Sequence, residues 1–135
     1  MRRLILPLVL VPLVSVSAAA AQDCDRKDET QSGMTICASA DFAASDRQLN
    51  AAYGEIMMRL ADDQDGRKRL QAAQRAWVSF RDAECEFQTA MTIGGSIHPM
   101  LVAQCRTELT DGRIKQLAAY LACAEGDMTC PVPAP

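Results

Sequence analysis

The stretch LQAAQRAWVSFRDAECEF, residues 70–87, decides the fold. It lacks glycine and proline, and it holds the only tryptophan, two of the three phenylalanines and one of the six cysteines. At about 100° per residue, Ala73, Ala76, Trp77, Phe80, Ala83, Phe87 and Met91 fall in one apolar stripe. That period reads as an amphipathic helix. Trp77 and Phe80, one turn apart, are the pair with most surface to bury, so the stripe is expected to face the core. Glu84 lies inside the same stripe, where a carboxylate needs a partner, and Arg81 three residues earlier is within reach.

Two further helices flank this one. From about Thr30 to Leu60, apolar side chains recur at helical spacing through Met34, Ala38, Phe42, Leu49, Ala52, Tyr53, Ile56 and Leu60. Asp62 to Gly66 breaks the pattern, and acidic residues there suit the start of the next helix. The central helix is expected from about Asp65 to Thr92. Gly94-Gly95-Ser96 makes the second break, and Pro99 suits the first turn of a third helix. Met100, Ala103, Thr107, Thr110, Ile114, Leu117, Ala118 and Leu121 share one face of that helix, which should end near Cys123. The expected fold is all-α: a small bundle of three main antiparallel helices stapled by disulfides.

The N-terminus reads as a targeting segment. A charged start, an apolar run from Leu4 to Val16 and the small residues before Gln22 make a secretory signal peptide over residues 1–21. The run is too short for an ordinary membrane span, and no later stretch is long enough. Cys24 follows Ala-Gln-Asp instead of a small-residue box, which argues against lipidation. Cleavage after Ala21 leaves 114 residues, one domain with a modest core. The domain is expected over residues 22–123, with a flexible tail from 124 to 135. Loss of Arg2 and Arg3 takes the formal net charge from −3 to −5. An acidic chain is a poor candidate for nucleic acid and is compatible with a basic partner.

All six cysteines follow the cleavage site, and an even count in a small exported chain reads as three disulfides. Cys85 and Cys105 stand equally far from Gly95, so an antiparallel hairpin turning there sets them side by side. A continuous helix would hold Cys24 about 20 Å from Cys37 at a rise of 1.5 Å per residue. The N-terminal segment is therefore expected to double back and bond Cys24 to Cys37. Cys123 and Cys130 remain, with Gly126-Asp127 to turn the chain between them; the sequence leaves open whether these two pair with each other.

Taken together, these residues resemble the LprI-type lysozyme-inhibitor domain family of exported bacterial proteins. The N-terminal part carries Thr30, Gln31, Met34, Cys37, Ala38, Phe42, Asp46, Leu49, Asn50 and Tyr53. The central part carries Gln74, Arg75, Trp77, Phe80, Arg81, Asp82 and Cys85, followed by Gly94-Gly95-Ser96, Cys105, Thr110, Arg113 and Leu117. Gly33 stands where the family usually has an acidic residue and Thr35 where Asn is usual, and the Cys123 and Cys130 pair lies beyond the shared core. The resemblance implies a protein that binds a lysozyme and blocks peptidoglycan cleavage, in the periplasm or secreted.

No enzyme is expected. There is no G-x-S-x-G nucleophile motif, no Gly-rich phosphate loop and no metal-ligand spacing around the single histidine, His98, so neither metal nor cofactor is called for. Arg81, Asp82, Glu84 and Arg113 read as a structural network, with Arg81 and Arg113 tying helices together through Glu84 or Asp46. The exposed candidate for partner binding is the loop Gly94, Gly95, Ser96, Ile97, His98, set at a hairpin tip braced by Cys85 and Cys105. The alternative function is a non-inhibitory protein-interaction module of the cell envelope. The sequence does not address oligomeric state.

Overall fold

The structure, a computed structural model, describes residues 23–124 and 126–132. The expected signal peptide lies outside the described residues. Among the described residues three helices follow one another: α1 (Gln31–Arg59), α2 (Gln64–Gln88) and α3 (His98–Leu121), with one 3₁₀ turn at Ala90–Thr92. Their ends have local chemical causes. The Thr30 hydroxyl accepts the Gly33 backbone N–H at 3.1 Å, and the Asp63 carboxylate accepts that of Gly66 at 2.8 Å, each satisfying a donor that a helix start leaves free. Pro99 occupies the first turn of α3, where its missing N–H costs nothing. No helix among the described residues is long and apolar enough to cross a membrane.

The helices run up, down and up. Gln31 meets Met100, Ser45 meets Asp111, and Arg59 meets the Leu121 carbonyl, so α1 and α3 run parallel along their whole length. Cys85 bonds Cys105 and Gln74 meets Arg113, so α2 runs antiparallel to α3. The core lies chiefly between α1 and α3. Leu49, Ile56, Leu60 and Leu117 are buried together at one end, with Tyr53, Leu70 and Trp77 packed around them. Ala38, Met100 and Ala103 form a smaller cluster at the other end. Each full burial of such an aliphatic side chain stabilises by about 1.5–3 kcal/mol, and so few of them make a modest core.

All three disulfides close as neighbours in sequence: Cys24–Cys37, Cys85–Cys105 and Cys123–Cys130, with Cα atoms 4.6, 5.7 and 5.8 Å apart. The N-terminal segment does double back on α1, where Arg26 also pairs with Asp41. A Cβ at Gly33 would stand 2.6 Å from the Asp28 backbone oxygen, so glycine permits this close approach.

One expectation needs correction. The apolar stripe of α2 does not face the core: Phe80 is 54% exposed, Phe87 78% and Met91 97%. The buried residues of α2 are Arg81 and Cys85, on a face turned about 100–140° from Phe80. Trp77 stands at the boundary, half-buried. The physical reason is the covalent one: Cys85 must face α3, and Arg81, one turn earlier, turns inward with it. At Val132 the chain beyond α3 returns to the core. Val132 is 3% exposed and belongs to the main core cluster, because the Cys123–Cys130 bond and a turn at Gly126 (φ 83°) bring the chain back beneath the helices.

Candidate functional site

Because α2 makes few close contacts with its neighbours, polar chemistry positions it. The buried Arg81 guanidinium lies between two aromatic faces, 5.1 Å from the Phe42 ring centroid and 5.3 Å from that of Trp77. It pairs with Asp82 at 3.0 Å and approaches Asp46 of α1 at 3.5 Å. Arg106 of α3 shares Asp82 at 3.3 Å. Arg113 donates to Gln74 of α2 at 3.2 Å and to Gln116 at 2.9 Å. Asp46 is thus the carboxylate that reaches Arg81 from another helix. Glu84 is not part of this network; it accepts a hydrogen bond from Gln88 on the solvent side. Arg81, Asp82, Trp77 and Arg113 therefore tie three helices together, whereas Phe80 and Glu84 point away from the junction.

From that junction the α2–α3 hairpin rises to its tip. The Cys85–Cys105 bond clamps its base, and the buried Thr89 hydroxyl donates to the Cys85 carbonyl at 2.7 Å. Thr92 donates its hydroxyl proton to the Thr89 carbonyl at 2.7 Å. Its oxygen therefore accepts from His98 Nδ1–H, 3.0 Å away, which leaves Nε2 as the free nitrogen of the ring. Gly94 takes φ 83° in the left-handed region, and the Gly95 N–H returns to the Thr92 carbonyl at 2.9 Å. The candidate loop Gly94–His98 is accordingly a closed turn, with Gly94, Gly95, Ser96 and Ile97 all exposed. Met91 and Ile93, the latter 72% exposed, add two large apolar side chains beside Ile97. The apolar period of α2 counted Met91 as core, and nothing singled out Ile93; the signal available was their position between a helix end and a glycine pair.

A groove of about 570 Å³ opens between the N-terminal segment, α1 and α3. Among the described residues, Asp25, Asp28, Asp41, Glu108 and Asp111 line it against one cation, Arg26, over a floor that includes Met34, Ala38 and Met100. The Asp41 carboxylate, hydrogen-bonded to Arg26, raises the guanidinium above its ordinary pKa. Asp28 is held below the usual carboxylate range by its hydrogen bonds to Thr30. The groove thus keeps a strong negative excess at neutral pH.

Comparison with known proteins matches this architecture. The chain is 37% identical over 114 residues to the uncharacterized protein R02472 of Rhizobium meliloti (strain 1021), covering 76% of this chain and 81% of that one. It is 33% identical over 119 residues to the uncharacterized protein YecT of Escherichia coli (strain K12), covering 76% and 74%. Its fold is similar to the crystal structure of a DUF1311 family protein from Pseudomonas putida KT2440, with a TM-score of 0.61 and 27% identity over 67% of this chain and 93% of the other. The family described as lysozyme inhibitor LprI matches residues 22–117, the span that holds all three helices up to Leu117 and the first two disulfides. The chain belongs to the LprI lysozyme-inhibitor family.

Proposed function

We propose that the protein is an exported, non-catalytic binding protein that inhibits a lysozyme by inserting the α2–α3 tip into its glycan cleft. Family membership supports the class of activity, and the three disulfides fit an exported chain. The observation that carries the mechanism is the tip itself: Met91, Ile93 and Ile97 are exposed on a turn fixed by Cys85–Cys105 and by its own hydrogen bonds. A rigid apolar projection loses little conformational entropy on entering a cleft. His98 lies at the same turn, able to join the interface through Nε2. The acidic character of the chain favours encounter with a basic lysozyme and makes association salt-sensitive.

The test uses the oxidised chain from Gln22, titrated into a basic lysozyme with binding heat and peptidoglycan lysis followed together. The expected result is saturable binding with matching loss of lysis. Replacing Ile97 and His98 together by alanine, or Met91→Ser with Ile93→Ser, should weaken inhibition by about 10- to 100-fold, the scale of a binding hot spot. An unchanged inhibition constant in either folded variant removes the tip mechanism. No binding to several lysozyme classes removes the inhibitor reading.

The acidic groove favours a second reading, a non-inhibitory envelope module that holds a basic partner. Recovery of an envelope protein by the wild-type chain, lost in Asp25→Asn with Glu108→Gln and without any lysozyme affinity, would select it.

A further inference from the structure

The face of α2 that the core leaves bare has an order of its own. Arg69, Ala73, Ala76, Phe80, Ala83 and Phe87 are all exposed, and they are spaced alternately four and three residues apart. That is the spacing of a coiled-coil seam, in which successive positions stay in line against a partner helix. The seam is about 27 Å long at 1.5 Å per residue. It is distinct from the face that carries Arg81 and Cys85, and nothing in the described chain covers it. An ordered apolar seam on a small protein marks an interaction surface.

Its composition selects the occupant. We infer that two copies of this chain associate through antiparallel pairing of their α2 helices along this seam. With a twofold axis near Val78, Phe80 of each copy lies opposite Ala76 of the other, and Ala73 lies opposite Ala83. Every phenylalanine then meets a small or flexible residue, and Phe87 meets the stem and guanidinium of Arg69. Charge follows the same symmetry. Lys68, Arg69 and Arg75 lie in the N-terminal half of α2, and Glu84 and Glu86 in its C-terminal half. Antiparallel pairing sets each basic half beside an acidic one, with Arg69 within one turn of Glu84 of the other copy. Parallel pairing stacks Phe80 on Phe80 and like charges on like. Among the described residues, Arg69, Arg75, Glu84 and Glu86 form no ion pair within the chain. The interface is isologous, so it closes as a dimer.

Sedimentation of the oxidised chain from Gln22, without lysozyme, tests this over about 1–500 µM, the range in which weak protein pairs dissociate. The expected result is a concentration-dependent monomer–dimer equilibrium. Phe80→Asp should abolish the dimer while leaving the helical circular-dichroism signal intact, since Phe80 is outside the core. Arg69→Glu should weaken the dimer about tenfold or more, and adding Glu84→Arg should restore it by exchanging the charges. A monomer at every concentration overturns the inference, as does a dimer indifferent to both Phe80→Asp and Arg69→Glu. A monomeric wild type whose lysozyme binding is lost in Phe80→Asp assigns the seam to lysozyme and also overturns it. Because the measurement contains no lysozyme, its outcome is independent of the inhibitor reading.

Discussion

At Arg81, three helices converge on one guanidinium. It stacks between Phe42 of α1 and Trp77 of α2, and its partner Asp82 also takes Arg106 of α3. Asp46 and Asp82 are each partly open to water, so the ion pairs themselves contribute modestly; the stacked, buried stem and the fixed fork do more. Arg81→Ala should cost about 2–4 kcal/mol in urea unfolding, chiefly through the lost packing of the buried side chain between the Phe42 and Trp77 rings. Arg81→Lys should recover less than half of that, because an ammonium cannot fill the planar slot between the rings. A loss below about 1 kcal/mol for Arg81→Ala contradicts this role. The sequence shows the helical period around Arg81 plainly. It misdirects the facing, because hydrophobicity points to the Phe80 side. The contrary signal was present in Cys85: a hairpin that bonds Cys85 to Cys105 already turns Arg81 inward. A covalent bond fixes one direction on a helix, whereas an apolar stripe can serve an interface instead of a core.

At the scale of elements, the helix boundaries were legible because breakers and caps mark them: Thr30 before α1, Asp63 before α2, and the glycine pair with Pro99 before α3. The unequal packing of those helices was not legible, since period alone does not say that α1 and α3 share most of the core. Nor was the seat of Val132, because one valine between prolines carries no period. The two covalently tethered segments share a polar device. Asp28 accepts the Thr30 N–H, and Asp127 accepts both the N–H and the hydroxyl of Thr129; these hydrogen bonds hold both carboxyls below their ordinary pKa. A depressed folded-state value means a contribution to stability that is present above the unfolded carboxylate range, about pH 4, and is lost as pH falls through the lowered folded value. Melting temperature should therefore decline on acidification below about pH 4, and the double variant Asp28→Asn, Asp127→Asn should decline less steeply over that interval. Identical acid limbs in the two proteins refute the assignment.

For the whole molecule, a modest core and three disulfides divide the task of stability. The bonds close loops of 13, 20 and 7 residues, each removing freedom from the unfolded chain. They leave the apolar side chains of the hairpin tip and of the outer seam of α2 exposed. The order of the cysteines has a further consequence for how the protein is made. Every bond joins a cysteine to the next one along the chain, first to second, third to fourth and fifth to sixth. A chain delivered N-terminus first into an oxidising compartment presents each cysteine's proper mate before any later competitor has arrived. Simple oxidation in order of emergence then yields the native set, and maturation needs an oxidant but no reshuffling of mispaired bonds.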